Sequence, residues 1–305
     1  MASGTQVTLV DPAPDAEMTI ERRLQELERR WSRFLATSEV SRINVARDEW
    51  VPVTADTIAL VESMQHAVRA TGGSYDPTML QEIIDAGYPT SVGDVSNVAI
   101  TIDLPDRRRT VEDLVVDRDA SSVFAPDGLA LDPGGIGKGL AADLAVSEAL
   151  RSGTAGALVS IGGDIAAAGS APGADGWLVE VDDPLAAGGP IATLAVSAGG
   201  VATSSTVSRR WTHRGAVRHH VLDPATGHSS CTDLASVTVV ATAGWAAEVQ
   251  ATAALLHGSD RAVDHLAASG LSGLAVALDG SVTATPDLDL TGARCAATAP
   301  LGEAS

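Results

Sequence analysis

A glycine-rich segment, LDPGGIGKG at residues 131–139, carries the first residues that could do chemistry. It follows an apolar run typical of a strand and precedes the helix-like run LAADLAVSEAL, so its backbone N–H groups can approach an anion at a helix N-terminus. It is not a Walker A loop, because Asp132 stands where that loop has a glycine and Gly139 follows the lysine. The segment predicts either a phosphate-binding turn or an ordinary structural one.

Glu248 and Thr252 form a second candidate, on the predicted helix GWAAEVQATAALLHG. Residues spaced i and i+4 lie on one helix face with their Cβ atoms about 5–6 Å apart. A carboxylate and a hydroxyl at that separation can share one hard cation, with nucleotide phosphates and water completing the octahedron that Mg²⁺ requires. The alternative is a hydrogen bond between the two side chains at the helix surface.

Two further segments place polar groups at the ends of predicted strands. In HHVLDPATG, His219 and His220 face opposite sides of a strand, so only one of them can point into a given site. Gly162, Gly163 and Asp164 follow an apolar strand and can shape a tight loop. Each segment also has a structural interpretation, as a buried histidine or as a simple turn.

Hydrophobic spacing identifies the elements that must position these groups. Apolar residues between positions 20 and 35 recur at intervals of three and four, which predicts an amphipathic helix, and a second helix is predicted from 54 to 72. From position 114 onward, short β-branched runs predict strands of mixed sheets. Helices are predicted at about 137–151, 244–257 and 260–268. The fold class predicted is α/β (α+β).

Length and composition predict one large globular unit. The chain has 305 residues, of which 45% are hydrophobic and only 3% aromatic, so the core must consist mainly of Ala, Val, Leu and Ile. We expect a folded domain over residues 1–280. Residues 281–305 are rich in Ala, Thr, Pro and Asp without periodicity, which predicts a loosely ordered C-terminal tail.

The charge balance limits the partners. There are 20 Lys and Arg against 39 Asp and Glu, a formal charge of −19, which disfavours nucleic acid and anionic membranes. A nucleotide diphosphate would need local compensation from backbone N–H groups, a few cations or a metal ion. The two cysteines and the absence of an export signal or a long apolar run predict a soluble, cytoplasmic protein without membrane insertion.

Eight segments in order resemble the FAD:protein FMN transferases, the ApbE-type family. The strongest likenesses are LDPGGIGKG beside the family's DLGGIAKG, VSIGGDI beside NIGGDI, and HVLDPATG beside HIIDPRTG. The segments lie at residues 27–44, 71–78, 131–139, 159–165, 200–210, 220–227, 236–241 and 246–252. The resemblance covers nearly the whole chain and implies an ApbE-like domain of two interlocking subdomains over residues 1–280.

The resemblance implies a Mg²⁺-dependent enzyme that takes FAD as its substrate. It would attach FMN through a phosphoester to a Ser or Thr hydroxyl of a partner flavoprotein, with release of AMP. His220 aligns with the family histidine that helps to deprotonate the acceptor hydroxyl, and the metal ligands would be Gly137, through its carbonyl, Glu248 and Thr252. The nucleotide site would be lined by Asn44, Asp76, Asp132, Gly134, Gly135, Lys138, Asp164, Thr203, Ser204 and Arg209.

Departures from the family pattern keep two other functions open. Glu248 replaces the family's Asp and is longer by one methylene, Gly137 replaces Ala, and Val207 stands where relatives often have Tyr. We therefore also consider an FAD pyrophosphatase, in which water replaces the acceptor to give FMN and AMP, and a non-catalytic FAD-binding protein.

Overall fold

The computed structural model describes residues 4–88, 109–185, 189–213, 215–288 and 290–291. The helices of these ranges are α1 Ala16–Trp31, α2 Glu39–Val45, α3 Ala55–Ala70, α4 Leu80–Asp85, α5 Gly137–Arg151, α6 Gly244–Leu256 and α7 Ala262–Ala268, with 3₁₀ turns at Val111–Asp113 and Pro133–Gly135. The strands are β1 Thr5–Val10, β2 Glu49–Pro52, β3 Val115–Asp117, β4 Ser122–Ala125, β5 Gly156–Ile161, β6 Asp164–Gly169, β7 Trp177–Asp182, β8 Pro190–Val196, β9 Gly199–Ser205, β10 Arg210–His213, β11 Ala216–His219, β12 Leu222–Asp223, β13 His228–Ser229, β14 Leu234–Ala241, β15 Ser272–Ala277, β16 Val282–Ala284 and β17 Leu290–Thr291.

A central sheet of seven strands has the order β1-β5-β6-β9-β14-β15-β16. The predicted α/β (α+β) class is confirmed. The pairing differs in one respect from the mixed sheets expected, because neighbouring strands in the described sheets run antiparallel. A tight turn explains this for one pair: β5 returns directly as β6 through Gly162 and Gly163, both with positive φ, and such a two-residue turn joins antiparallel strands only.

The central sheet is covered on both faces. Helices α5 and α6 pack against β5, β6, β9 and β14 on one face. On the other face, Val179 of β7 and Leu194 of β8 pack with Val201 of β9 and Leu274 of β15. Side chains alternate across a strand, and seven of the eight residues of β14 are buried, so both faces of this strand are covered.

A backbone contact between α5 and α6 fixes the geometry of the site. A Cβ on Gly139 would lie 2.4 Å from the carbonyl carbon of Gly244, so only glycine permits the two helices to approach so closely. Asp143 of α5 accepts the backbone N–H groups of Gly244 (2.7 Å) and Trp245 (3.0 Å) at the start of α6. Burial raises the pKa of Asp143 to about 6, against the lowering effect of those two N–H groups. The contact places the first two turns of α5 beside the start of α6.

The chain beyond position 280 contains regular structure where the structure describes it. Val282–Ala284 pairs with β15 and Leu290–Thr291 pairs with β8, although no strand was predicted there. Residues 292–305 of the predicted tail lie outside the described residues, and the boundary at 280 stays a prediction. Within the described ranges, every helix is too short or too polar to span a bilayer.

Candidate functional site

A cavity of about 320 Å³ opens where the starts of α5 and β6 meet the middle of α6. Its wall brings together seven stretches of the chain that are far apart in sequence. The lining residues used below are Arg33, Phe34, Tyr75, Asp76, Tyr88, Asp132, Gly134, Gly135, Lys138, Asp164, Thr203, Ser204, Arg209, His220, Glu248 and Thr252. Each predicted site residue is therefore in this wall except Asn44 and Gly137, which lie behind it.

Three charged side chains form the centre of the wall. Lys138 Nζ lies 2.6 Å from Asp164 Oδ2 and is paired with Glu248 Oε1. The other carboxylate oxygen of Glu248 accepts the backbone N–H of Gly139 at 2.8 Å. The side chains of Lys138, Asp164 and Glu248 are only 11%, 6% and 5% exposed. We call these three residues the site cluster.

The electrostatics of the site cluster follow from one cation between two anions. Burial alone would lower the pKa of Lys138, but the carboxylates of Asp164 and Glu248 outweigh it and raise that pKa, so the ammonium stays charged. Burial and the nearby Asp164 raise the pKa of Glu248 against the opposing effect of Lys138. With both carboxylates ionised, the cluster carries one surplus negative charge, and the raised pKa of Glu248 reflects the cost of holding that charge inside the protein.

The hydroxyl of Thr252 lies one helical turn beyond Glu248, as the spacing predicted. Its Oγ1 is 2.8 Å from Ser204 Oγ and donates to the backbone carbonyl of Glu248 at 3.3 Å. Thr203 also lines the cavity, with its Oγ1 2.8 Å from Thr238 Oγ1. The hydroxyls of Ser204 on β9 and Thr252 on α6 are thus paired at the cavity wall.

The two adjacent histidines point in different directions. His219 is buried, and its Nε2 lies 3.1 Å from the carbonyl oxygen of Ser230. His220 lines the cavity, and its buried Nδ1 has no hydrogen-bond partner among the described residues. Burial, together with the charges of Arg209 and Lys138, lowers the pKa of His220 to about 3, so its imidazole is neutral at pH 7.

The glycine-rich segment is held by side chains that precede it in sequence. Asn44 is buried and exchanges two hydrogen bonds with the backbone of Leu131, at 2.9 and 2.7 Å. Asp132 accepts the N–H of Gly134 at 2.9 Å and pairs with Arg33 at 3.2 Å. Asn44 thus positions the segment from behind, and Gly137 is the buried first residue of α5. Asp76 accepts the N–H of Thr78 at 2.9 Å.

Sequence reasoning missed the aromatic part of the wall. Tyr75, Tyr88 and Phe34 line the cavity, and Arg33 stacks over the Phe34 ring at 4.2 Å. The hydroxyl of Tyr75 is buried without a hydrogen-bond partner in the described part of the chain. The rarity of these residues could have indicated the site. The chain has only two Tyr and two Phe, and three of these four side chains line this cavity.

The donor atoms in the wall fit a hard cation such as Mg²⁺. Across the described ranges, no three His, Cys, Asp or Glu side chains converge as a ready-made metal site. Mg²⁺ rarely uses such a cage and is usually bound by one or two carboxylates together with substrate phosphates. The carboxylate of Glu248, the hydroxyl of Thr252 and the surplus negative charge of the site cluster satisfy that requirement.

Comparison with known proteins identifies relatives that are named FAD:protein FMN transferase. The chain is 32% identical over 133 residues to the FAD:protein FMN transferase of Klebsiella pneumoniae, which covers 43% of this chain and 40% of that protein. It is 33% identical over 147 residues to the FAD:protein FMN transferase of Treponema pallidum, covering 45% and 41% of the two chains. The matches thus span about two fifths of these relatives' own lengths.

Solved structures extend the likeness to the whole fold. The ApbE protein of Thermotoga maritima superposes with a TM-score of 0.77 at 26% identity, over 92% of each chain. The flavin transferase ApbE of Vibrio cholerae has a TM-score of 0.74 over 94% of each chain, and at 20% identity that likeness concerns the fold alone. The model of the ApbE family matches residues 1–278. By the match of that model to nearly its whole length, the chain belongs to the ApbE family.

Proposed function

We propose that this chain is a Mg²⁺-dependent FAD:protein FMN transferase, which attaches FMN through a phosphoester to a Ser or Thr hydroxyl of a partner flavoprotein and releases AMP. The observation that carries the proposal is the site cluster at the start of α5, opposite the neutral imidazole of His220 in one cavity. Family membership and the names of the relatives support it. A cytoplasmic location stays a prediction from composition.

The cavity wall offers complementary surfaces to the parts of FAD. The N–H of Gly135, the first turn of α5 and the ammonium of Lys138 would bind the diphosphate, because a helix N-terminus and a cation both attract anions. Tyr75, Tyr88 and Phe34 offer ring faces and edges for the flat flavin or adenine. The acidic exterior then opposes binding of the diphosphate only weakly, because N–H groups and the ammonium of Lys138 beside it compensate its charge.

The metal would be held by side chains of α6. Glu248 and Thr252 supply its carboxylate and hydroxyl ligands, and the carbonyl of Gly137 is the third protein ligand that we propose. When bound, the ion neutralises the diphosphate and the charge that develops as the phosphoanhydride breaks.

His220 is placed to handle the proton of the acceptor. The acceptor oxygen attacks the phosphorus of the FMN half of FAD, the bond from that phosphorus to the bridging oxygen breaks, and AMP leaves with that oxygen. The acceptor proton passes to the neutral imidazole of His220. Its low pKa keeps the imidazole neutral in the free protein, and the anionic diphosphate would raise that pKa by stabilising the imidazolium, so that the imidazole can hold the acceptor's proton.

The test combines the purified chain with FAD, MgCl₂ and a panel of candidate acceptor flavoproteins. We expect an acceptor to gain the mass of one FMN with an equal amount of AMP. His220→Ala should lower the transfer rate about 10²- to 10⁴-fold, the usual contribution of a general base, while FAD binding is retained. His219→Ala is the matched control, because its imidazole points to Ser230, and it should keep most of the activity.

Three results would contradict the proposal. Release of AMP from FAD at a rate that no acceptor reduces would identify an FAD pyrophosphatase. Tight FAD binding without turnover in Mg²⁺ or Mn²⁺ would identify a flavin-binding protein. Equal transfer by His220→Ala and the unsubstituted protein would remove His220 from the mechanism.

A further inference from the structure

Lys138 is the only lysine among the 20 basic residues of the chain, and the fold buries it. An ammonium group has three N–H donors, and all three have acceptors here. One lies 3.4 Å from the backbone carbonyl of Gly134, one lies 2.6 Å from Asp164 Oδ2, and one is bound to Glu248 Oε1. The ammonium therefore occupies the space between the two carboxylates of the site cluster.

Glu248 has no oxygen left that is free of a donor. Oε2 accepts the backbone N–H of Gly139, and Oε1 is bound to Lys138. The proposed metal ligand is therefore already paired with a cation of the protein itself. A divalent cation and an ammonium on the same carboxylate oxygen repel each other strongly where water is excluded.

We propose that Lys138 acts as a resident counter-ion, which a divalent cation must displace from Glu248 in order to bind. The inference rests on the proposed function only for the choice of Mg²⁺ as the physiological ion. On displacement, Lys138 keeps its contact with Asp164 and gains a free N–H donor at the cavity wall. The surplus negative charge of the site cluster is what makes the exchange favourable.

The exchange couples the metal to the nucleotide. The freed donor of Lys138 can bind a phosphate oxygen of a diphosphate, and the metal neutralises the same diphosphate. Each ligand therefore compensates for the cost of the other, and coupling of this kind is usually worth about 5- to 150-fold in affinity. Without nucleotide, the metal competes with Lys138 alone and should bind weakly.

The first experiment measures Mn²⁺ binding to the nucleotide-free protein by electron paramagnetic resonance of the free ion. Lys138→Met keeps the apolar stem and removes the charge, so we expect Mn²⁺ affinity to rise about tenfold. Arg33→Met is the matched control, because it removes a cation that pairs with Asp132 in the same cavity wall. It should change the affinity much less. Unchanged or weaker binding by Lys138→Met, or an equal gain in Arg33→Met, would overturn the proposal.

The second experiment uses the unsubstituted protein, because Lys138→Met leaves two buried carboxylates side by side and thereby destabilises the fold. Growth on lysine labelled with ¹³C at Cε gives a single lysine resonance, from Lys138. We expect this resonance to shift on titration with MgCl₂ and to saturate with the same dissociation constant as Mg²⁺ binding measured by calorimetry. A resonance that does not move while Mg²⁺ binds, or a protein that binds no divalent cation, would overturn the proposal.

These measurements separate the inference from the proposed function. Neither uses FAD or an acceptor, so a chain that transfers no FMN would still show the exchange if Lys138 holds the metal position. Conversely, a chain that transfers FMN with an unmoved Lys138 resonance would keep its proposed function and lose this inference.

Discussion

Two groups of three charged residues in this protein have the same arrangement with the signs of the charges reversed. In the site cluster, Lys138 lies between two carboxylates. On the outside of α1 and α3, Asp56 lies between two guanidinium groups, with Arg23 Nη2 at 2.6 Å and Arg30 also paired to it. We call these residues Arg23, Arg30 and Asp56 the rim cluster. One group has a surplus of negative charge and the other a surplus of positive charge.

The difference in exposure decides what each group does. Arg23 and Asp56 are 16% exposed and Arg30 is 28% exposed, and Glu26 lies 3.9 Å from Arg30, so solvent and neighbours balance the extra positive charge. The rim cluster joins α1 to α3. The site cluster is more deeply buried and borders a cavity, so solvent compensates its extra negative charge much less. A buried charge surplus beside a cavity indicates a ligand of opposite charge.

The largest effect is expected when the surplus is removed from the site cluster. Glu248→Gln keeps the shape of the side chain and leaves Lys138 and Asp164 as a balanced pair. We expect divalent-cation affinity in the presence of FAD to fall by about 100-fold or more, because a charged ligand is lost. The free energy of unfolding should change little, since a buried charge is removed with it. Calorimetric titration with MgCl₂ and thermal unfolding check the two parts.

Glu26→Gln is the control for that substitution, since it removes one carboxylate beside the rim cluster. Metal affinity should be unchanged. Equal losses of affinity in Glu248→Gln and Glu26→Gln would mean that overall charge, and not the site cluster, governs binding.

An intermediate effect should appear in the pH dependence of stability. The folded pKa of His220 is lowered from 6.5 to about 3 by burial, Arg209 and Lys138. Below pH 6.5 the imidazole of His220 binds a proton in the unfolded chain but not in the folded protein. The free energy of unfolding therefore falls as the pH falls from 6.5 towards 3, by up to about 1.4 kcal/mol per pH unit. His220→Phe lacks this loss. Urea unfolding across that range should show the two stabilities diverging, and parallel curves would contradict the assignment.

The smallest effect is expected at the rim cluster. Asp56→Asn breaks its pairs with Arg23 and Arg30, but solvent reaches all three groups, so the free energy of unfolding should fall by about 1 kcal/mol or less. The loss should shrink in 1 M NaCl because surface pairs are screened. Urea unfolding at low and high salt measures both effects. If the free energy of unfolding fell by about 3–5 kcal/mol, as when a buried pair is broken, the rim cluster would not differ from a buried ion pair.

Local patterns in the sequence were enough for five of the seven described helices and for several site residues, whereas the short helices α2 and α4 were not predicted. The i, i+4 spacing of Glu248 and Thr252 puts both at one cavity wall, and the glycine-rich turn does begin α5. Asn44 shows what local patterns leave out. It holds the backbone of Leu131 across 87 positions, a contact that no local pattern encodes, and its place in the nucleotide site stays a prediction. The roles of the lining residues stay predictions.

The sequence by itself determined which groups are available: one lysine, adjacent histidines, a helix with a carboxylate and a hydroxyl on one face, and a chain too acidic to hold a diphosphate without local cations. Only the tertiary structure decided that His220, not His219, faces the cavity, and that Lys138 meets Glu248 from 110 positions away. The physical reason is that sheet register and the close approach of α5 to α6 at Gly139 set these distances. Neither the sheet register nor the contact between the two helices depends on residues that are near one another in sequence.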